Sequence, residues 1–325
     1  MKKLVCSYIY DSSRHPFDKS GIEYVDVMNY SFGLIKDGKL DISHLENFDE
    51  LKKYQDENRK LVLSIGGWGA DGFSQSCAND ETRKVFIDSI LEVVKEKSLD
   101  GIDIDWEYPN SGAAKIAYSS DDPVNFTLFL TGLRCALDSY KRGLLLTIAV
   151  GADYECVENI EIEKIKDVID YLNIMTYDMD DENKDGYIHH TNVYSSIEGE
   201  GISAKASVMS YHKAGFPLDR IIIGAAAYAK AYTLDPNEEK PRRGYPFGRI
   251  EDEKLEETNK LIWDENAHAP LLHLTDTVYL TYDNVRSIEE KCAFIKEFNL
   301  AGIMYWEYGS DYHHTLLRTM KANLK

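Results

Sequence analysis

Residues 100–109 read DGIDIDWEYP and hold four carboxylates, Asp100, Asp103, Asp105 and Glu107, interleaved with Ile102, Ile104 and Trp106. In an extended chain, residues two apart share a face and lie ~6.6 Å from each other. Asp103, Asp105 and Glu107 therefore form one acidic row and the three apolar residues form the opposite row. Asp100 is out of phase with the acids and belongs to the start of the strand. Two unit charges at that spacing repel by ~2.5 kcal/mol at an effective dielectric of about 20. Some of the acids should therefore keep a proton at neutral pH, with their pKa values pushed apart. A protonated acid beside an ionised one is equipment for general acid catalysis. Two other readings fit less well. An exposed edge strand would not carry Ile, Ile and Trp on its other face, and a Mg²⁺ or Ca²⁺ site would need further ligands at motif spacing.

Such a row needs a scaffold that covers its apolar side. Eight short β-rich apolar runs recur along the chain, at residues 4–9, 25–32, 61–65, 101–105, 144–150, 171–175, 221–227 and 301–306. Near-continuous apolar runs are what parallel strands covered by helices require. Amphipathic helical patterns lie between them, at 80–97 (Val85, Phe86, Ile90, Val93, Val94) and 123–140 (Phe126, Phe129, Leu130, Leu133, Leu137). Eight such units predict an α/β protein with a (β/α)8 TIM barrel fold, its acids climbing to the C-terminal mouth. From 229 to 280 the alternation stops. A loop of that length is improbable in a compact barrel, and Tyr245, Phe247, Leu255, Ile262 and Trp263 give it an apolar set of its own. A small α+β insertion subdomain is expected there, between strands 7 and 8, with barrel segments at 1–228 and 281–325.

The 325 residues include 37 Lys and Arg against 56 Asp and Glu, a net charge of −19. With no dense basic cluster, nucleic acid and membrane surfaces are poor partners. No stretch has the ~18 apolar residues of a membrane span. The five cysteines (Cys6, Cys77, Cys135, Cys156, Cys292) lack paired or ligand-like spacing and read as free thiols, with no metal site. The N-terminal MKKLVCSYIYDSS breaks its apolar run at Ser7 and Asp11. It reads as a first strand rather than an export signal, so a cytoplasmic protein is expected, or a secreted one if a native N-terminal segment was removed; a monomer is expected as well.

DGIDIDWE resembles the DGxDxDxE signature of the family 18 glycoside hydrolases, the chitinases and their relatives. LSIGGWG (63–69), NIMTYD (173–178) and GIMYWEYGSD (302–311) are similar to that family's strand 3, 6 and 8 motifs. IWDENAHAPLLH and TYDNVRSIEEK resemble the end of the α+β insertion of the chitinase-type subfamily, which walls a deep substrate groove. The resemblance implies retaining hydrolysis of β-1,4-linked N-acetylglucosamine chains without a cofactor, the substrate's own acetamido oxygen attacking C1. It implies Glu107 as general acid and then base, Asp105 as the group that steers the acetamido N–H, and Asp103 as its proton-sharing partner. Tyr177 would donate to the acetamido carbonyl and Asp178 would contact the same sugar. Trp306 would floor the pocket, with Met175, Met304, Phe32, Tyr228, Trp68 and Tyr108 as walls. An endo-β-N-acetylglucosaminidase acting on glycans or peptidoglycan and a non-catalytic lectin on the same barrel are the alternatives. Two departures stand out. Lys230 in YAKAY (228–232) occupies the place of an arginine, losing its planar fork, and the acids of MDDENKDG (179–186) replace an aromatic platform on the leaving side.

Overall fold

In the computed structural model, residues 2–11, 17–235 and 245–325 are described; the middle of the charge-rich stretch before Tyr245 lies outside them. The eight apolar runs are eight strands: β1 (Leu4–Tyr10), β2 (Val27–Lys36), β3 (Lys60–Gly66), β4 (Gly101–Asp105), β5 (Leu145–Gly151), β6 (Tyr171–Met175), β7 (Ile221–Ala226) and β8 (Gly302–Trp306). They pair in parallel, and β1 bonds to both β2 and β8, so the sheet closes into a barrel.

Helices α1 (Asp80–Lys97) and α2 (Asp122–Tyr140) flank β4 in sequence. Asn79 starts α1, its side chain accepting from the backbone N–H groups of Glu81 and Thr82, which satisfies donors that a helix start leaves open. Ile102 and Ile104 are fully buried and Trp106 is 2 % exposed. The Trp106 ring stacks on Phe73 at 5.2 Å and meets Phe126 edge-on at 5.4 Å. The apolar row of the β4 segment therefore faces the helical layer, and its acids face the barrel interior. Asp100 instead accepts from the Leu61 N–H (3.0 Å) and from Gln55 Nε2 (2.7 Å), fixing the start of β4 beside β3.

Between β7 and β8 a second sheet forms, antiparallel, from Tyr228–Thr233, Tyr245–Pro246, Lys260–Asp264, Ala269–His273 and Val278–Thr281. Leu272 and Leu280 pack one face of this sheet into the main core, and Leu271 and Tyr279 are buried on the other face with Tyr232. Behind it, helix α3 (Val285–Glu297) carries Lys291 into the interior. Lys291 Nζ donates to Asp283 Oδ2 (2.6 Å), Thr191 Oγ1 (2.6 Å) and the Gly224 carbonyl (3.1 Å). Asp283 also accepts from Ser287 Oγ (2.7 Å) and the Ala226 N–H (2.9 Å). Both charges are fully buried. Among the described residues no helix is long and apolar enough to cross a membrane.

Candidate active site

The acidic row is graded by how well each carboxylate is partnered. Asp103, deepest, is fully buried. It pairs in register with Ser64 on β3 and Thr147 on β5, and both hydroxyls donate to it, at 2.7 and 2.5 Å. Tyr8 from β1 (2.9 Å) and Asn173 from β6 (3.1 Å) complete the set. Burial raises the Asp103 pKa and these four donors oppose the rise. All four come from side chains other than Asp105, and Asp103 acts on Asp105 through its charge. The Asp103 charge is one of the causes that hold a proton on Asp105.

Asp105 is the reverse case. It is 4 % exposed, and its Oδ1 has no hydrogen-bond partner among the described residues. Burial first, then the charges of Glu107 and Asp103, push its pKa well above the usual carboxylate range. Glu107 is 9 % exposed. Burial raises it to about 7, helped by Asp178 and opposed by a hydrogen bond from Tyr108. Near neutral pH the pair thus keeps a transferable proton, the condition for general acid catalysis.

Two glycines let β3 approach this strand. The Gly66 Cα lies where a Cβ would meet the Asp105 carbonyl oxygen at 2.0 Å, and Gly66 has φ +121°. Gly67 (φ +88°) packs where a Cβ would strike the Phe32 ring at 2.6 Å, and its N–H donates to the Asp105 carbonyl (2.9 Å). Both glycines serve close approach. The peptide bonds Ser31–Phe32, Glu107–Tyr108 and Trp306–Glu307 are cis.

Asp105 and Glu107 open into a cavity of about 710 Å³, also lined by Phe32, Trp68, Tyr108, Met175, Tyr177, Asp178, Tyr228 and Trp306. These are the residues singled out from sequence, except Asp103 and Met304, which lie beneath the surface. Met304 is fully buried, its sulfur 3.9 Å from the Tyr177 hydroxyl. Sulfur is a weak acceptor, so that hydroxyl has a proton to offer to something better. Burial and the surrounding carboxylates hold the Tyr177 phenol far above its usual pKa, keeping it protonated. Trp306 stacks on Phe32 (5.4 Å between centroids, 17° between planes), with Tyr8 and Tyr10 at 6.0 and 5.9 Å. Trp68 stands 67 % exposed at the rim, 6.4 Å from the Tyr108 ring.

Sequence reasoning missed several lining residues: Tyr8, Ala152, Asp153, Met179 and Ile202. Tyr8 left a signal, a hydroxyl in the apolar run of β1. The others sit in loops without periodicity. Lys230 also lines the cavity, its ammonium 3.4 Å from Asp178 and 3.8 Å from Asp180. The acids of 179–186 divide in use. Asp180 accepts from the Tyr232 hydroxyl (2.6 Å). Asp181, 2 % exposed, accepts from Asn192 Nδ2 (3.0 Å) and the Ser196 N–H (2.7 Å) and so ties the loop together.

A parallel eight-stranded barrel with a buried, coupled acid pair at the C-terminal end of β4 is the arrangement of a glycosidase. The family model described as Glycosyl hydrolases family 18 matches residues 3–311, and the chain belongs to that family. It is similar to chitinase A1 of Niallia circulans, 29% identical over 86% of this chain and 44% of the relative, and to mouse chitotriosidase-1, 27% identical over 81% of this chain and 61% of the relative. The chain spans between 44% and 64% of the length of the first curated relatives it matches. Among solved structures, a family 18 N-acetylglucosaminidase from Paenibacillus barengoltzii superposes with a TM-score of 0.90 at 34% identity, covering 99% of both chains.

Proposed function

We propose that this protein hydrolyses β-1,4-linked N-acetylglucosamine oligosaccharides with retention of configuration, through an oxazolinium formed by the substrate's own acetamido group. One observation carries the reading: Asp105 and Glu107 are buried together, with an unpartnered Asp105 oxygen, at a cavity that also presents the Tyr177 hydroxyl and the Trp306 ring. Glu107, with its pKa at about 7, protonates the leaving oxygen and then takes a proton from the incoming water. The free Asp105 oxygen accepts the acetamido N–H and steadies the positive charge as it develops. Tyr177 donates to the acetamido carbonyl, and Trp306 gives the methyl and sugar face an apolar seat. Asp103 acts through Asp105. Asp178, Tyr228, Met175, Phe32, Trp68 and Tyr108 shape the walls, and the second sheet supplies one side of the groove through Tyr228 and Lys230.

Release of single N-acetylglucosamine units is the second reading, favoured by the full-length similarity to the Paenibacillus barengoltzii enzyme. A para-nitrophenyl chitobioside assay tests hydrolysis directly, and a chitooligosaccharide ladder separates the two readings by product size. Glu107→Gln should lower turnover by about 10²–10⁴-fold while sugar binding persists. A variant that keeps most of its activity contradicts the assignment.

A further inference from the structure

Just past β6, Thr176 is tied to β7 through its Oγ1 and the Gly224 backbone (2.7 and 2.8 Å), and the chain then leaves the barrel at Tyr177 and Asp178. Asp178 has φ +57°, a left-handed conformation that Asp tolerates better than most residues but does not favour. Asp178 follows Tyr177, whose ring lies against Gly224: a Cβ there would meet the Tyr177 Cε1 at 2.8 Å. Returning Asp178 to an ordinary φ would swing the chain that carries that ring.

Residue 190 grips this segment at two points. The Met179 N–H donates to the His190 carbonyl (3.1 Å), and the Asp178 N–H donates to His190 Nδ1 (3.3 Å). A backbone N–H can only donate, so Nδ1 is the acceptor and the ring proton sits on Nε2. His190 is fully buried and lies 5.2 Å from the Tyr228 ring. Burial, together with the Lys230 and Lys291 ammonium groups, holds its pKa well below the usual histidine range. The imidazole therefore stays neutral with Nδ1 free to accept. The Asp178 carboxylate faces the same neighbours, 3.8 Å from Nδ1 and 3.4 Å from Lys230 Nζ.

The geometry points to His190 as a positioning residue, whose Nδ1 pins Asp178 in its left-handed conformation and so fixes Tyr177 and Asp178 against the substrate. This rests on the hydrolase reading proposed above. The distinction from mere packing lies in which atom matters. Asn places an acceptor oxygen near Nδ1 but is smaller than His; Gln fills the space better but offers its amide near Nε2.

The test is steady-state kinetics on para-nitrophenyl chitobioside for wild type, His190→Asn and His190→Gln, each corrected for its folded fraction by circular dichroism. His190→Gln should lose about 10²-fold in kcat, as a displaced reacting geometry does, with a smaller change in KM. His190→Asn should recover at least about tenfold of that loss although it packs worse. Equal kcat for the two variants, or Gln more active than Asn, overturns the proposal. An inactive wild type overturns this proposal and the hydrolase reading together, whereas an active wild type with the reversed order overturns this one alone.

Discussion

The barrel buries carboxylates in two ways. At the β7 side, Asp283 sits with Lys291 at zero exposure, and the pair is completed by donors from Thr191, Ser287 and the Ala226 N–H. At the end of β4, Asp105 and Glu107 are buried beside each other and beside Asp103; among the described residues no cation pairs with them and one Asp105 oxygen has no hydrogen-bond partner. The first arrangement compensates its charges and serves structure. The second leaves repulsion in place, and its outlet is protonation, which puts a mobile proton at the cavity. A buried acid that lacks compensation is thus the better pointer to chemistry.

The contrast is sharpest in the effect of removing one member of each cluster. Glu107→Gln should lower kcat by about 10²–10⁴-fold, the range of a lost general acid, without lowering the thermal midpoint; a destabilised variant would mean that Glu107 is structural. Lys291→Met should behave oppositely. It strands Asp283 as an unpaired buried charge and should cost about 3–5 kcal/mol of stability in denaturant titration. A Lys291→Met change that costs nothing would erase the difference between the clusters.

The pH dependence of stability follows from the Glu107 shift. In the unfolded chain a glutamate loses its proton near its ordinary value of about 4.3, whereas in the fold Glu107 keeps it up to about 7. Between those values the native state binds more protons, so stability falls as pH rises, by about 4 kcal/mol in all. Glu107→Gln removes that loss, and its stability advantage over wild type should be larger at pH 8 than at pH 4, read by calorimetry. An advantage independent of pH would place the proton elsewhere. The smallest effect belongs to the rim: Trp68→Ala should raise KM by about tenfold, or about 1.4 kcal/mol, with kcat nearly unchanged. A loss confined to kcat would move Trp68 out of binding.

The barrel was legible because its strands are continuous apolar runs and because β4 obeys a strict two-residue alternation. The parity of Ile102, Ile104 and Trp106 against Asp103, Asp105 and Glu107 decided which face looked inward, and the buried Trp106 agrees. The donors around Asp103 were not legible. Ser64, Thr147, Tyr8 and Asn173 come from four strands, and only closure of the barrel brings them together. Met304 carried the phase of an inward residue, yet it lies fully buried beside the Tyr177 hydroxyl, since depth along a strand is not written in alternation. His190 gave no sign in the sequence, because its partner is a backbone N–H twelve residues away.

The central claim is that the substrate's acetamido oxygen, rather than a water, attacks first over the Asp105–Glu107 pair. Proton NMR of a chitooligosaccharide in the first minutes of hydrolysis reads the anomer released before mutarotation. The β-anomer is the expected product. Initial release of the α-anomer would mean direct attack by water and would contradict the mechanism.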